Sequence, residues 1–150
     1  MKILLIIILA FLMSAFSLAH SPAFAASLPS EMQNHINVER HHAGLSPLQL
    51  DDNLVRAAEI RAVEIQTKFA HHRPDGRDVK TVLENRSFSR FGENLAVSET
   101  MDAERIVRAW IQSPSHRANI LGRHYTSMGI ACQQNKDDGH YYWVLLLGRE

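Results

Sequence analysis

The sequence predicts an α+β sandwich, not a parallel βαβ fold. Segments of helical periodicity occupy the first part of the chain, and two strand-like segments joined by a polar turn close it. No internal repeat, low-complexity tract or long linker interrupts the 150 residues, so one domain follows a short leader.

The leader is Met1-Lys2, a minimal positive start, then the apolar run Ile3 to Ala19. Ala23-Phe24-Ala25 supplies the small-x-small pattern of a cleavage site, which predicts a signal peptide over 1–25 and a mature domain over 26–150. The rival is an uncleaved anchor. The run contains Ser14 and Ser17, is followed by Pro22, and is at the lower limit for a spanning helix, so cleavage is favoured and no integral span is expected afterwards. The compartment is then extracellular or periplasmic. With Lys2 gone, 15 of the 16 Lys and Arg face 16 Asp and Glu. This balance carries no electrostatic footprint for nucleic acid or an anionic membrane surface. A lone cysteine, Cys132, cannot form an internal disulfide, and its place in an alternating apolar stretch reads as a buried, inert thiol.

A first helix is predicted from Ser30, capped there with Gln33 completing a capping box, to about His42, with Gly44 taking the left-handed turn. Pro47 is expected to open the second, carrying Asp51 and Asp52 in its first turns. Leu50, Leu54, Ala58, Ala62, Ile65 and Phe69 form its buried stripe; Asp52–Arg56 and Glu64–Lys68 are expected pairs on the wet side. Arg73-Pro74-Asp75-Gly76 has turn chemistry, with a short helix over 79–84. A third helix spans Asp102 to Ile111. Ser113 and Pro114 read as N-cap and first residue of a fourth, which Gly122 closes. Strands follow at 128–133 and 141–147, joined through 135–139, with a third at Asn94 to Val97.

Four segments together resemble the CAP superfamily of cysteine-rich secretory, antigen 5 and pathogenesis-related proteins. They are Phe69-Ala70-His71-His72-Arg73-Pro74-Asp75-Gly76-Arg77, Phe91-Gly92-Glu93-Asn94-Leu95-Ala96, the run from Ala109 through Trp110, Ser113-Pro114-Ser115-His116 to Leu121, and Tyr125-Thr126-Ser127-Met128-Gly129-Ile130. The resemblance is to the short bacterial branch and covers nearly all of the mature chain. It implies an α-β-α sandwich with a three-stranded antiparallel sheet between helical layers. It also implies a cleft of two histidines and two acids that in some members holds zinc or another divalent cation. By motif, the first histidine is His71, the first acid Glu93 and the second histidine His116. The second acid falls on Ser113, so this chain departs from the four-residue site.

Two imidazoles and a carboxylate are reasonable ligands for a borderline ion; equally, Glu93 could hydrogen-bond the histidines with no ion present. Ser113 reads as a helix cap worth about 1 kcal/mol, with no glycine-flanked serine elbow to suggest a nucleophile. His116 in a first helical turn is biased toward the neutral imidazole. Asn94 is expected to hold backbone near Glu93, Trp110 to sit in the core, and Arg73, Asp75 and Arg77 to fix the turn. His41, His42, His72, His124 and His140 have no partner pattern, and no H-E-x-x-H is present. The leading function is a non-enzymatic extracellular or envelope module, monomeric, whose cleft recognises a small ligand, ion or envelope component. The alternatives are a metal-dependent hydrolase of peptide or cell-wall material, and a lipid or sterol binder.

Overall fold

A computed structural model describes residues 23–83 and 87–149, with side-chain environments from Leu28 onward. Most of the leader, residues 1–22, lies outside the described residues. Helix α1, Ala23–His42, begins earlier than expected and runs through Pro29. Ser30 is therefore not its N-cap, and Gln33 donates instead to the Leu48 carbonyl at 3.0 Å. Pro29 lacks an N–H and forfeits only the bond back to residue 25, which matters little near a helix start. At the other end Gly44 has φ 68°, the left-handed turn expected of it.

Pro47 does not open the second helix. The chain stays extended through β1, Gln49–Leu50, and α2 spans Asp52–Thr67. Asp51 is its cap, accepting from the backbone N–H groups of Asn53 and Leu54 at 2.9 and 3.0 Å. Proline restricts its predecessor to extended backbone. The hydrogen bonds of Gln49 N–H to Thr126 O and of Asp51 N–H to Met128 O keep the chain extended beyond it.

A 3-10 turn follows at Val79–Leu83, then β2 at Arg90–Ser98, α3 at Ala103–Gln112, α4 at Pro114–Ile120, β3 at Ser127–Gln134 and β4 at Tyr141–Arg149. The sheet runs β1-β3-β4-β2. The antiparallel trio β3-β4-β2 is the expected one, but β1 adds a fourth strand parallel to β3, so the sheet is mixed. A two-residue strand leaves no hydrophobic alternation to read, which is why periodicity passes over it.

β4 shows why this is a sandwich. Trp143, Leu145 and Leu147 pack with Met32, Ile36, Ile106 and Trp110 of α1 and α3; Val144 and Leu146 pack with Leu54, Ala58 and Ile65 of α2. Alternate side chains of a strand face opposite sides, so a strand buried on both faces reads as one apolar run. Cys132, half-buried, is pushed up to about 12 by burial, in keeping with an inert thiol.

The edge strand β2 positions the site. Its outward carbonyls are covered by side-chain donors: Phe91 O accepts from Tyr125 Oη at 3.2 Å, Glu93 O from Asn119 Nδ2 at 3.2 Å, and Leu95 O from Trp110 Nε1 at 3.1 Å. Covering these acceptors protects an edge that would otherwise pair with another chain. It also draws α3 and α4 onto the margin of β2.

Candidate functional site

Consecutive strand residues point to opposite faces, and the two at the centre of β2 do so. Glu93 turns toward α2 and Asn94 toward α4. Glu93, with its side chain 3% exposed, accepts from Arg61 Nη2 at 3.0 Å and Nε at 3.3 Å, and pairs with His71 Nδ1 at 3.3 Å. Arg61 is fully buried. It also donates from Nη1 to Glu64 Oε2 at 2.8 Å and from Nη2 to Ala70 O at 2.7 Å. Glu64 in turn accepts from Arg73 Nε at 2.9 Å. One chain of charge-assisted hydrogen bonds thus runs Arg73–Glu64–Arg61–Glu93–His71.

Burial alone would lower Arg61, but hydrogen bonds to Glu93 and Glu64 more than reverse this and raise its pKa. Burial would likewise raise Glu64, yet the hydrogen bonds from Arg73 and Arg61 hold it below its ordinary value. The Arg61–Glu64 pair is therefore held in its ionised form.

On the opposite face, Asn94 is completely buried and donates to the His116 carbonyl at 3.0 Å, while Asn119 donates to Asn94 Oδ1 at 2.8 Å. Asn94 therefore fixes the backbone of His116, 22 residues on. His116 is half-buried. Desolvation lowers its pKa, and the charge of His71 lowers it further. The site wraps around the outer edge of β2, with His71 from the α2 side and His116 from the α4 side. His71 is 60% exposed and forms the open rim.

Ser113 occupies the N-cap position of α4, with Pro114 at its start, but its side chain makes no capping hydrogen bond. The expected cap hydrogen bond is absent, and residue 113 also ends α3, its N–H bonded to the Ala109 and Trp110 carbonyls. Trp110 is buried in the core. Gly76 N–H bonds Arg73 O at 2.9 Å with Gly76 at φ 86°, closing the expected turn. Asp75 accepts there from Arg77 Nε at 2.6 Å, whereas Arg73 reaches away into the buried network.

Arg61, Glu64 and Asn119 are functional-site residues that sequence reasoning passes over. Glu64 is not paired with Lys68 on a wet face, nor Arg56 with Asp52; Arg56 donates to Asn53 at 2.5 Å. The signal for Arg61 lies in the buried stripe itself. It falls three residues after Ala58 and four before Ile65, a charge on an apolar face, which demands a buried partner. Among the described residues, no group of three or more His, Cys, Asp or Glu is placed to hold an ion together. No described helix is long and apolar enough to cross a membrane.

The three-layer fold, with His71 and His116 brought to the margin of one edge strand, defines a class of protein, and direct comparison identifies it. The model of the cysteine-rich secretory protein family, CAP, matches residues 33–147. The chain belongs to that family. It is 29% identical over 114 residues to the uncharacterized protein YkwD of Bacillus subtilis strain 168, covering 73% of this chain and 44% of YkwD. The chain thus spans less than half the length of that curated relative. Its fold is similar to an outer surface protein from Borrelia burgdorferi, with 23% identity, TM-score 0.70 and coverage of 86% of this chain and 94% of that one. It is also similar to an extracellular protein containing an SCP domain from Bacillus anthracis strain Ames, with 19% identity, TM-score 0.74 and coverage of 83% and 41%.

Proposed function

We propose that this chain is a binding module of the cell exterior or periplasm whose two-histidine cleft recognises a small ligand or a weakly held divalent cation, without catalysing a reaction. The carrying observation is the relay from Arg61 through Glu93 to His71. A buried carboxylate that accepts from Arg61 and faces Nδ1 favours the tautomer that donates from Nδ1, leaving Nε2 as a lone-pair acceptor at the rim. His116, biased toward its neutral form, offers a second acceptor beside it. The relatives described as extracellular or outer-surface proteins support a location outside the cytoplasm.

The donor set fits a divalent ion only loosely. Glu93 already serves Arg61, whose positive charge stands 3.0 Å away, and Ser113 supplies no second carboxylate. His71 and His116 would be the ligands, Glu93 would orient one of them, and water would fill the other positions. Bound there, an ion would supply Lewis acidity to one of those waters. This is a site for exchange and recognition, unlike a structural zinc with four protein ligands. An apolar groove of about 420 Å³ lined by Leu28, Val63, Met101, Ile130 and Cys132 supports the lipid alternative; an acyl or sterol ligand recovered on extraction would favour it.

Calorimetric titration with zinc, beside His71→Ala and His116→Ala, tests the reading. Weak saturable heat in wild type, lost in both variants, is the expected result. Identical null heats in all three proteins would remove the ion and any hydrolysis dependent on it. Tight binding with peptide or peptidoglycan cleavage would overturn the non-enzymatic reading.

A further inference from the structure

Arg40, in the last turn of α1, is 1% exposed. Its Nε donates to Ser46 O at 2.9 Å, and Nη1 donates to Ile120 O at 2.7 Å and Gly122 O at 3.0 Å. These carbonyls satisfy hydrogens at the end of α4 but bring no full negative charge. Burial lowers the pKa of Arg40, and no anion opposes that effect. A charge withdrawn from water without a counter-charge is costly.

The remaining nitrogen, Nη2, has no partner among the described residues, and among those residues no fully buried side-chain nitrogen or oxygen lacks one. Nη2 is therefore the edge of the guanidinium that reaches open space. That space is a cavity of about 280 Å³, lined by Arg40 and Arg123 together with residues 44–47, Tyr125 and Thr126. Arg123 is exposed and has no acidic partner among the described residues. Among the described residues, no Asp or Glu lines the cavity.

We propose that this cavity is an oxyanion site for a phosphate-type group, with Arg40 and Arg123 as charged donors and the Ser46 and Thr126 hydroxyls as neutral ones. Arg40 offers such a group only its Nη2 hydrogens, since Nε and Nη1 serve carbonyls, while the exposed Arg123 guanidinium can bind two of its oxygens as a pair. The bound anion supplies the counter-charge that Arg40 lacks. The site shares no residue with the His71–Glu93 cleft and stands whether or not that cleft binds a ligand.

Titration with inorganic phosphate at ionic strength held constant with sodium chloride tests this, read by amide and Arg40 Nε–H NMR shifts. Saturable shifts at Ser46, Thr126 and Arg40 are expected in phosphate but not in chloride alone. Arg123→Gln, at an exposed position that leaves folding intact, should weaken binding about tenfold or more, and Arg40→Lys should weaken it too. Shifts no larger than those of chloride, or wild-type binding by Arg123→Gln, would overturn the assignment. Co-sedimentation with phosphatidylglycerol vesicles, lost in Arg123→Gln, would make a lipid headgroup the source. Phosphate shifts without sedimentation would make it free phosphate.

Discussion

Replacing Arg61 by leucine removes the hub of the buried network, and the consequences for its neighbours are unequal. Glu64 keeps Arg73 at 2.9 Å. Glu93, 3% exposed, keeps only the partly exposed His71 and becomes a buried carboxylate without a permanent cation. Breaking a buried pair by removing one partner costs about 3–5 kcal/mol. Removing Glu93 instead leaves Arg61 bonded to Glu64 and Ala70 O, so Glu93→Leu should cost about 1–3 kcal/mol, the range for an unmet buried group. The double variant no longer contains the stranded carboxylate. It should be more stable than Arg61→Leu alone by about 2 kcal/mol, the difference between those two ranges. Urea unfolding of residues 26–150, with unchanged m-values, measures all three. Arg61→Leu costing under about 1 kcal/mol, or a double variant worse than either single one, would refute the reasoning.

Two further outcomes follow from the geometry. The imidazole of His116 should titrate below its ordinary 6.5 by NMR, and His71→Ala should raise the midpoint only in part, because desolvation is the larger cause. Its stabilising contribution is complete above 6.5 and is lost as pH falls through the folded-state value; a midpoint at or above 6.5 would contradict this. Gly129→Ala would place a Cβ 2.0 Å from the Leu54 carbonyl carbon and 2.3 Å from Val55 N, backbone atoms that cannot turn aside. A loss of about 3 kcal/mol or more is expected in a denaturant melt, and a melt matching wild type would show that β3 and α2 are not pressed together there.

Much of the architecture was legible in local pattern. Leu54, Ala58, Ala62 and Ile65 of the expected stripe are buried, though Leu50 lies in β1 and Phe69, beyond the end of α2, is exposed. These four, the Arg73–Gly76 turn and the closing hairpin depend on contacts a few residues apart or on one-sided burial, which leave a period in the chain. Breaks in pattern were harder to interpret. Ser113 has the chemistry of a cap and stands at the N-cap position of α4, yet its hydroxyl makes no capping hydrogen bond. Pro47 has the chemistry of a helix start, but β3 offered the following residues a strand partner 78 positions away.

The types and order of His71, Glu93 and His116 were set by the sequence alone, because the spacing of the surrounding motifs is itself local. Which groups share those residues was decided only in three dimensions. Arg61 belongs to Glu93 because an interior position must neutralise its charge with whatever the neighbouring strand presents, and that strand is 32 residues distant. The same requirement is unmet at Arg40, where folding brings carbonyls but no carboxylate. Periodicity records which side of an element avoids water; it holds no record of which opposite charge waits on the element packed against it.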